Sequence, residues 1–66
     1  MSREEIARII RTKRQEKGWT LIRLAKEANV SREIVGKIEK NKHAPGLDIL
    51  IRILDALDLE ICVRSK

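Results

Sequence analysis

The stretch TLIRLAKEANVSREIVGKIEKN, residues Thr20–Asn41, decides the fold. Leu24 and Ala28 in its first half, and Val35 and Ile38 in its second, recur at helical spacing. With Val30 they can face one common core. Thr20 and Ser31 each stand just before a helical pattern, where a hydroxyl accepts a hydrogen bond from an otherwise unpaired backbone N–H. Asn29 lies between the patterns, and Asn enters the left-handed conformation more easily than most residues. Ala25 is small enough to let the two segments approach closely. The stretch therefore reads as two short helices, about residues 20–28 and 31–40, joined by a tight turn.

The flanking sequence completes the unit. Ser2 with Glu5 fits a capping box that opens a helix over about residues 3–17, with Ile6, Ile9 and Ile10 as its apolar stripe and Gly18 as its end. Trp19 precedes the Thr20 cap, where it can staple the entry to the next helix and anchor the core. Asn41 can take a helix-ending conformation, and Pro45 stops the helix from continuing. Leu50, Ile53, Leu54 and Leu57 then mark a fourth helix over about residues 47–57, with Asp48 complementing its dipole. After Asp58 the pattern alternates, with Leu59, Ile61 and Val63 on one side and Glu60, Cys62 and Arg64 on the other. That predicts a strand over about residues 59–64. The expected fold is all-α: four helices with a central helix-turn-helix and a short C-terminal β-strand, one domain over residues 1–66. In a helix-turn-helix the second helix stands proud of a small core and can enter a DNA major groove.

Charge placement agrees. Residues 1–45 hold twelve Lys and Arg against six Asp and Glu, whereas residues 46–66 hold three against four, so base collects around the motif as a polyanion-binding face requires. Charge alone fits any solvated small protein; charge on this motif points to nucleic acid. Trp19 is the only aromatic residue, too few for a base-stacking platform for single strands. The single Cys62 excludes an intrachain disulfide and a Cys-cluster zinc site and suits a reducing cytosol. Cys62 itself reads as a small buried apolar residue. With no membrane-length apolar run and no signal peptide, a cytoplasmic chain is expected. No nucleophile–base pair, phosphate loop or metal-ligand spacing appears, so no enzyme activity, cofactor or metal is expected.

Gly18, Thr20, Leu24-Ala25, Asn29-Val30-Ser31-Arg32, Val35, Lys37-Ile38-Glu39, Pro45, Leu47 and Leu50 occur in one register that resembles the lambda-repressor-like, Cro/C1-type (XRE) regulators. The resemblance runs from about Ile6 to Leu57. It implies base-contacting positions at Arg32, Glu33, Gly36 and Lys37, and helix geometry agrees, since Val35 and Ile38 facing inward turn these four outward. Arg32 can pair with guanine, Lys37 with guanine or phosphate, and Glu33 with cytosine N4. Glu33 has two other roles open to it, a filter against phosphate or a partner for Arg32. Phosphate contacts are implied at Thr20, Leu21, Ser31, Lys40, Lys42 and His43. Leu21 departs from the family's usual Gln and so lacks that side-chain contact. Arg14 and Glu39 match a pair that links the first helix to the end of the third.

The resemblance also implies a homodimer on a pseudo-palindromic operator, acting as a repressor. Leu59, Ile61 and Val63 are the expected dimer interface, because a lone strand would leave backbone groups unpaired. A strand after the last helix is similar to HipB-type antitoxins, which adds a toxin protein as an alternative partner. Apolar Leu21, Ile22 and Ile34 leave open a protein-interaction adaptor on the same fold; alternatively they extend the core, and Ile34 can touch thymine methyls.

Overall fold

Each helix begins and ends where the sequence supplies partners for its loose backbone groups. The computed structural model describes residues 2–65, which form α1 (Arg3–Glu16), α2 (Leu21–Ala28), α3 (Arg32–Glu39) and α4 (Leu47–Ala56). Ser2 Oγ accepts the Glu5 N–H at 3.1 Å while the Glu5 carboxylate accepts the Ser2 N–H at 3.3 Å, closing a capping box. Thr20 and Ser31 accept the N–H groups of Arg23 and Ile34 at 3.0 and 3.1 Å. Among these helices α4 alone starts without a side-chain cap, at Gly46, and Asp48 in its first turn favours the dipole instead. Lys17, Thr20, Ser31, Lys40 and Leu57, counted within helices on sequence grounds, flank them as caps.

All four helices end the same way. Gly18, Asn29, Asn41 and Asp58 have φ of +72°, +56°, +57° and +59°. The residue after each, Trp19, Val30, Lys42 or Leu59, donates its N–H to the carbonyl five residues back. This pairs carbonyls that a helix end otherwise leaves open. Asp58 is the member that the sequence reading does not single out.

α2 packs against both α3 and α4, and α1 against α3. The core is aliphatic: Ile10, Leu24, Val35, Ile53 and Leu57 are fully buried, with Ala7, Ala25, Ala28, Ile38 and Leu54 around them. Ile6, Trp19 and Leu50 pack half-buried on its edge, whereas Ile9 is exposed. α1 thus turns Ala7 and Ile10 inward, not the whole isoleucine stripe. Lys17 Nζ meets Asp58 Oδ2 at 2.7 Å, tying the end of α1 to the end of α4. No described helix is long and apolar enough to cross a membrane.

The expected strand over residues 59–64 does not form in the chain. A strand needs a ladder partner, and the elements around this segment are helices whose backbone groups pair internally. Beyond the Leu59 N–H, residues 60–65 make no backbone–backbone hydrogen bond among the described residues. Leu59 closes the turn after α4 and packs half-buried on the core, while Ile61 is 46% and Val63 91% exposed. Cys62, expected to be buried, is an exposed free thiol, because its segment runs outside the packed helices.

Candidate nucleic-acid interface

α3 is fixed from behind. Its inner side buries Val35 and Ile38, and at its end Glu39 is only 7% exposed. That carboxylate is gripped by Arg14 from α1, with Nε to Oε2 at 2.7 Å and Nη2 to Oε1 at 2.9 Å. Arg14 Nη1 also donates to the Trp19 carbonyl at 2.8 Å, so one guanidinium joins α1, the α1–α2 turn and α3. The hydrogen bonds to Glu39 raise the Arg14 pKa above its ordinary value, outweighing the opposing effect of burial. A planar fork held by two acceptors fixes orientation as well as position.

The outer side of α3 is open. Arg32, Glu33, Gly36 and Lys37 line one shallow concavity together with Leu21, Lys40 and Lys42. Arg32, Glu33, Lys37, Lys40 and Lys42 are exposed, and among the described residues none of them is in an ion pair. Glu33 is therefore not occupied by Arg32. Gly36 is informative: a Cβ there would meet only Leu21 Cδ1, at 4.0 Å, which is ordinary contact. Packing does not require glycine, although glycine costs a helix roughly 1 kcal/mol relative to Ala. A bare backbone at the middle of this face admits close approach by a large ligand.

Thr20 and Ser31 are exposed at the starts of α2 and α3, each using its oxygen as an acceptor for the cap. Each hydroxyl hydrogen stays available to a phosphate. His43 lines the adjoining concavity with Arg3, Asn41 and Pro45, around the end of α3. Trp19 is half-buried, with Lys17 Nζ and the Arg23 guanidinium 5.1 and 4.9 Å from its ring centre. Of the apolar outliers, Leu21 and Ile34 pack against the core, while Ile22 is 64% exposed.

A second surface lies away from this face. Leu47 and Ile51 are 65% and 40% exposed on α4 and line a concavity with Leu54, Leu59, Ile61 and Val63. The sequence reading placed only Leu59, Ile61 and Val63 in this group. Leu47 and Ile51 stand four residues apart, outside the core stripe of α4, and that spacing was the available signal.

Four capped helices, the second and third joined by a left-handed Asn turn, with a basic outer face on the third, define a helix-turn-helix protein. The chain belongs to the helix-turn-helix family, whose model matches residues 10–63. It is similar to the HTH-type transcriptional regulator SutR of Escherichia coli (strain K12), at 37% identity over 60 residues. It is also similar to the HTH-type transcriptional regulator SlrR of Bacillus subtilis (strain 168), at 37% over 57 residues. Each alignment covers 85% of this chain but 34% and 38% of the relative, so the chain spans about a third of the length of these curated relatives.

Proposed function

We propose that residues 1–66 act as one sequence-specific, double-stranded DNA-binding unit that regulates transcription, as a repressor bound to a pseudo-palindromic operator as a homodimer. The observation that carries the reading is the free basic face around Gly36 on a helix clamped from behind by Arg14 and Glu39. Arg32, near the start of α3, forks onto guanine O6 and N7. Lys37 reaches guanine or phosphate, and Glu33 accepts from cytosine N4. Thr20, Ser31, Lys40, Lys42 and His43 take phosphates, and Leu21 contributes apolar support beneath Gly36 rather than a side-chain hydrogen bond. Both named relatives are transcriptional regulators, which supports the regulatory half of the reading.

The dimer rests on the second surface. Exposed Leu47, Ile51, Ile61 and Val63 form one apolar patch beside a segment with unpaired backbone groups. A second copy packed on the same patch across a two-fold axis covers both, with Leu59, Ile61 and Val63 at its centre. Such a dimer sets two recognition helices about one DNA turn apart, ~34 Å. Exposed Ile22 on α2 favours a second reading, in which a protein partner such as a toxin docks beside the DNA face.

The test is duplex binding with a site selected from random sequence. Arg32→Ala is expected to cost about 1–3 kcal/mol on that site and to relax preference at one base pair. Lys42→Ala should weaken all duplexes alike and lower the salt slope by about one unit. Unchanged specific affinity in Arg32→Ala would remove α3 from base reading.

A further inference from the structure

Arg3 occupies the first turn of α1, where the helix dipole disfavours a cation, and Glu4 and Glu5 beside it are the residues that suit this position. A local rule broken this way asks for a compensating role. The side chain does not simply extend into solvent: Arg3 Nε donates to Asn41 Oδ1 at 3.2 Å, across 38 residues of sequence. Asn41 brings a side chain to a position where none is required. It ends α3 at φ +57°, a position that Gly fills at no steric cost. Asn accepts some backbone cost there, and what it adds is the amide oxygen that holds Arg3.

The consequence is that a basic residue of α1 is held beside the end of α3. Arg32, Lys37, Lys40 and Lys42 line the concavity over α3. Asn41 and His43, on either side of Lys42 in the chain, line a second concavity together with Arg3. Only Nε of Arg3 is engaged among the described residues, so both Nη groups remain as donors. A guanidinium held through one nitrogen and open at the other two suits phosphate oxygen, which it takes with two N–H groups.

We propose that Arg3, positioned by Asn41, is a further DNA-backbone contact that extends the phosphate track of α3 onto the start of α1. The proposal rests on the DNA-binding reading above. Arg3 touches phosphate only, so it adds affinity without sequence preference, and Asn41 acts through it as a positioning residue.

The experiment measures affinity for a 25-base-pair duplex of arbitrary sequence across a salt series, using the whole chain. Arg3→Ala is expected to reduce the slope of log affinity against log salt by about 0.9, the value for one phosphate contact. Arg3→Lys should keep the slope, because the charge remains. Asn41→Gly keeps the left-handed turn and deletes only the anchor; it should weaken binding less than Arg3→Ala does. The Arg3→Ala/Asn41→Gly double variant should bind no more weakly than Arg3→Ala alone, which a purely structural role for Asn41 does not predict. A wild-type slope in Arg3→Ala, alongside a reduced slope in Lys42→Ala, overturns the Arg3 proposal and leaves the DNA reading standing. Failure of the wild-type chain to bind duplex at all overturns both.

Discussion

α3 and α4 are both amphipathic, yet they divide their surfaces in opposite ways. α3 buries Val35 and Ile38 and presents charge outward, with its one buried carboxylate, Glu39, doubly bonded to Arg14. α4 and its cap bury Ile53 and Leu57 completely, and the helix still carries Leu47 and Ile51 on exposed positions. A helix polar on its free side is finished as a monomer surface; one that is apolar on both sides has surface left to cover. The contrast separates a charged exposed side on α3 from an apolar exposed side on α4, the two surfaces on which the proposed DNA contact and the proposed dimer rest.

The largest effect should come from breaking the clamp behind α3. Arg14→Ala leaves Glu39 buried without its partner, which is expected to cost about 3–5 kcal/mol, a large part of a small domain's stability. Chemical denaturation of Arg14→Ala, read by helical signal, checks this. Replacing both residues together by apolar ones of similar volume should cost less than the sum of the single changes. Strict additivity would mean that the two groups do not act as a pair.

The next comparison lies between the buried and exposed apolar residues of α4 and the segment that follows it. Leu57→Ala opens a cavity at a fully buried site and should destabilise the chain by about 2–5 kcal/mol. Leu47→Ser/Val63→Ser removes apolar surface from exposed sites and should change each subunit's own stability by less than about 1 kcal/mol. If the proposed dimer is built on this surface, the wild type should sediment as a dimer and the same double variant as a monomer. A dimer that survives it is built on a different surface.

The fold was legible because its signals are local. Ser2 with Glu5, Thr20, Ser31, Gly18, Asn29 and Asn41 announce helix ends through chemistry that operates within four or five residues. What the sequence did not reveal depends on distance or on partners. The alternation at Leu59, Ile61 and Val63 is a real pattern, but a pattern cannot supply a ladder partner, and in this chain Leu59 packs on its own core instead. Arg3 beside Asn41, and the surplus apolar side of α4, appear only when segments far apart in sequence are brought together. On α3, Arg32, Glu33, Gly36 and Lys37, the positions that the family resemblance implied, line one open concavity, in agreement with the inward direction of Val35 and Ile38. The fate of Leu21 and Ile34 did not, since half-burial at a helix junction leaves no periodic mark.

The smallest effect belongs to the one ion pair that joins the end of α1 to the end of α4. The Lys17 ammonium, by its hydrogen bond first and its charge second, holds the Asp58 carboxyl below its ordinary value. The folded-state pKa is thus the lower one, so the pair's contribution is complete above the unfolded value of about 3.9 and is lost as pH falls through the folded value. Asp58 is 79% exposed, so solvent and salt screen the pair strongly. Asp58→Asn tests this cleanly, because Asn also tolerates the left-handed conformation at φ +59° and leaves the turn intact. At pH 7 and low salt the wild type should melt slightly above the variant. The two midpoints should converge at pH values below the folded-state pKa, and also in about 1 M salt, where the screening length shrinks to roughly 3 Å. A gap that persists under both conditions would show that the Asp58→Asn change acts through something other than the ion pair with Lys17.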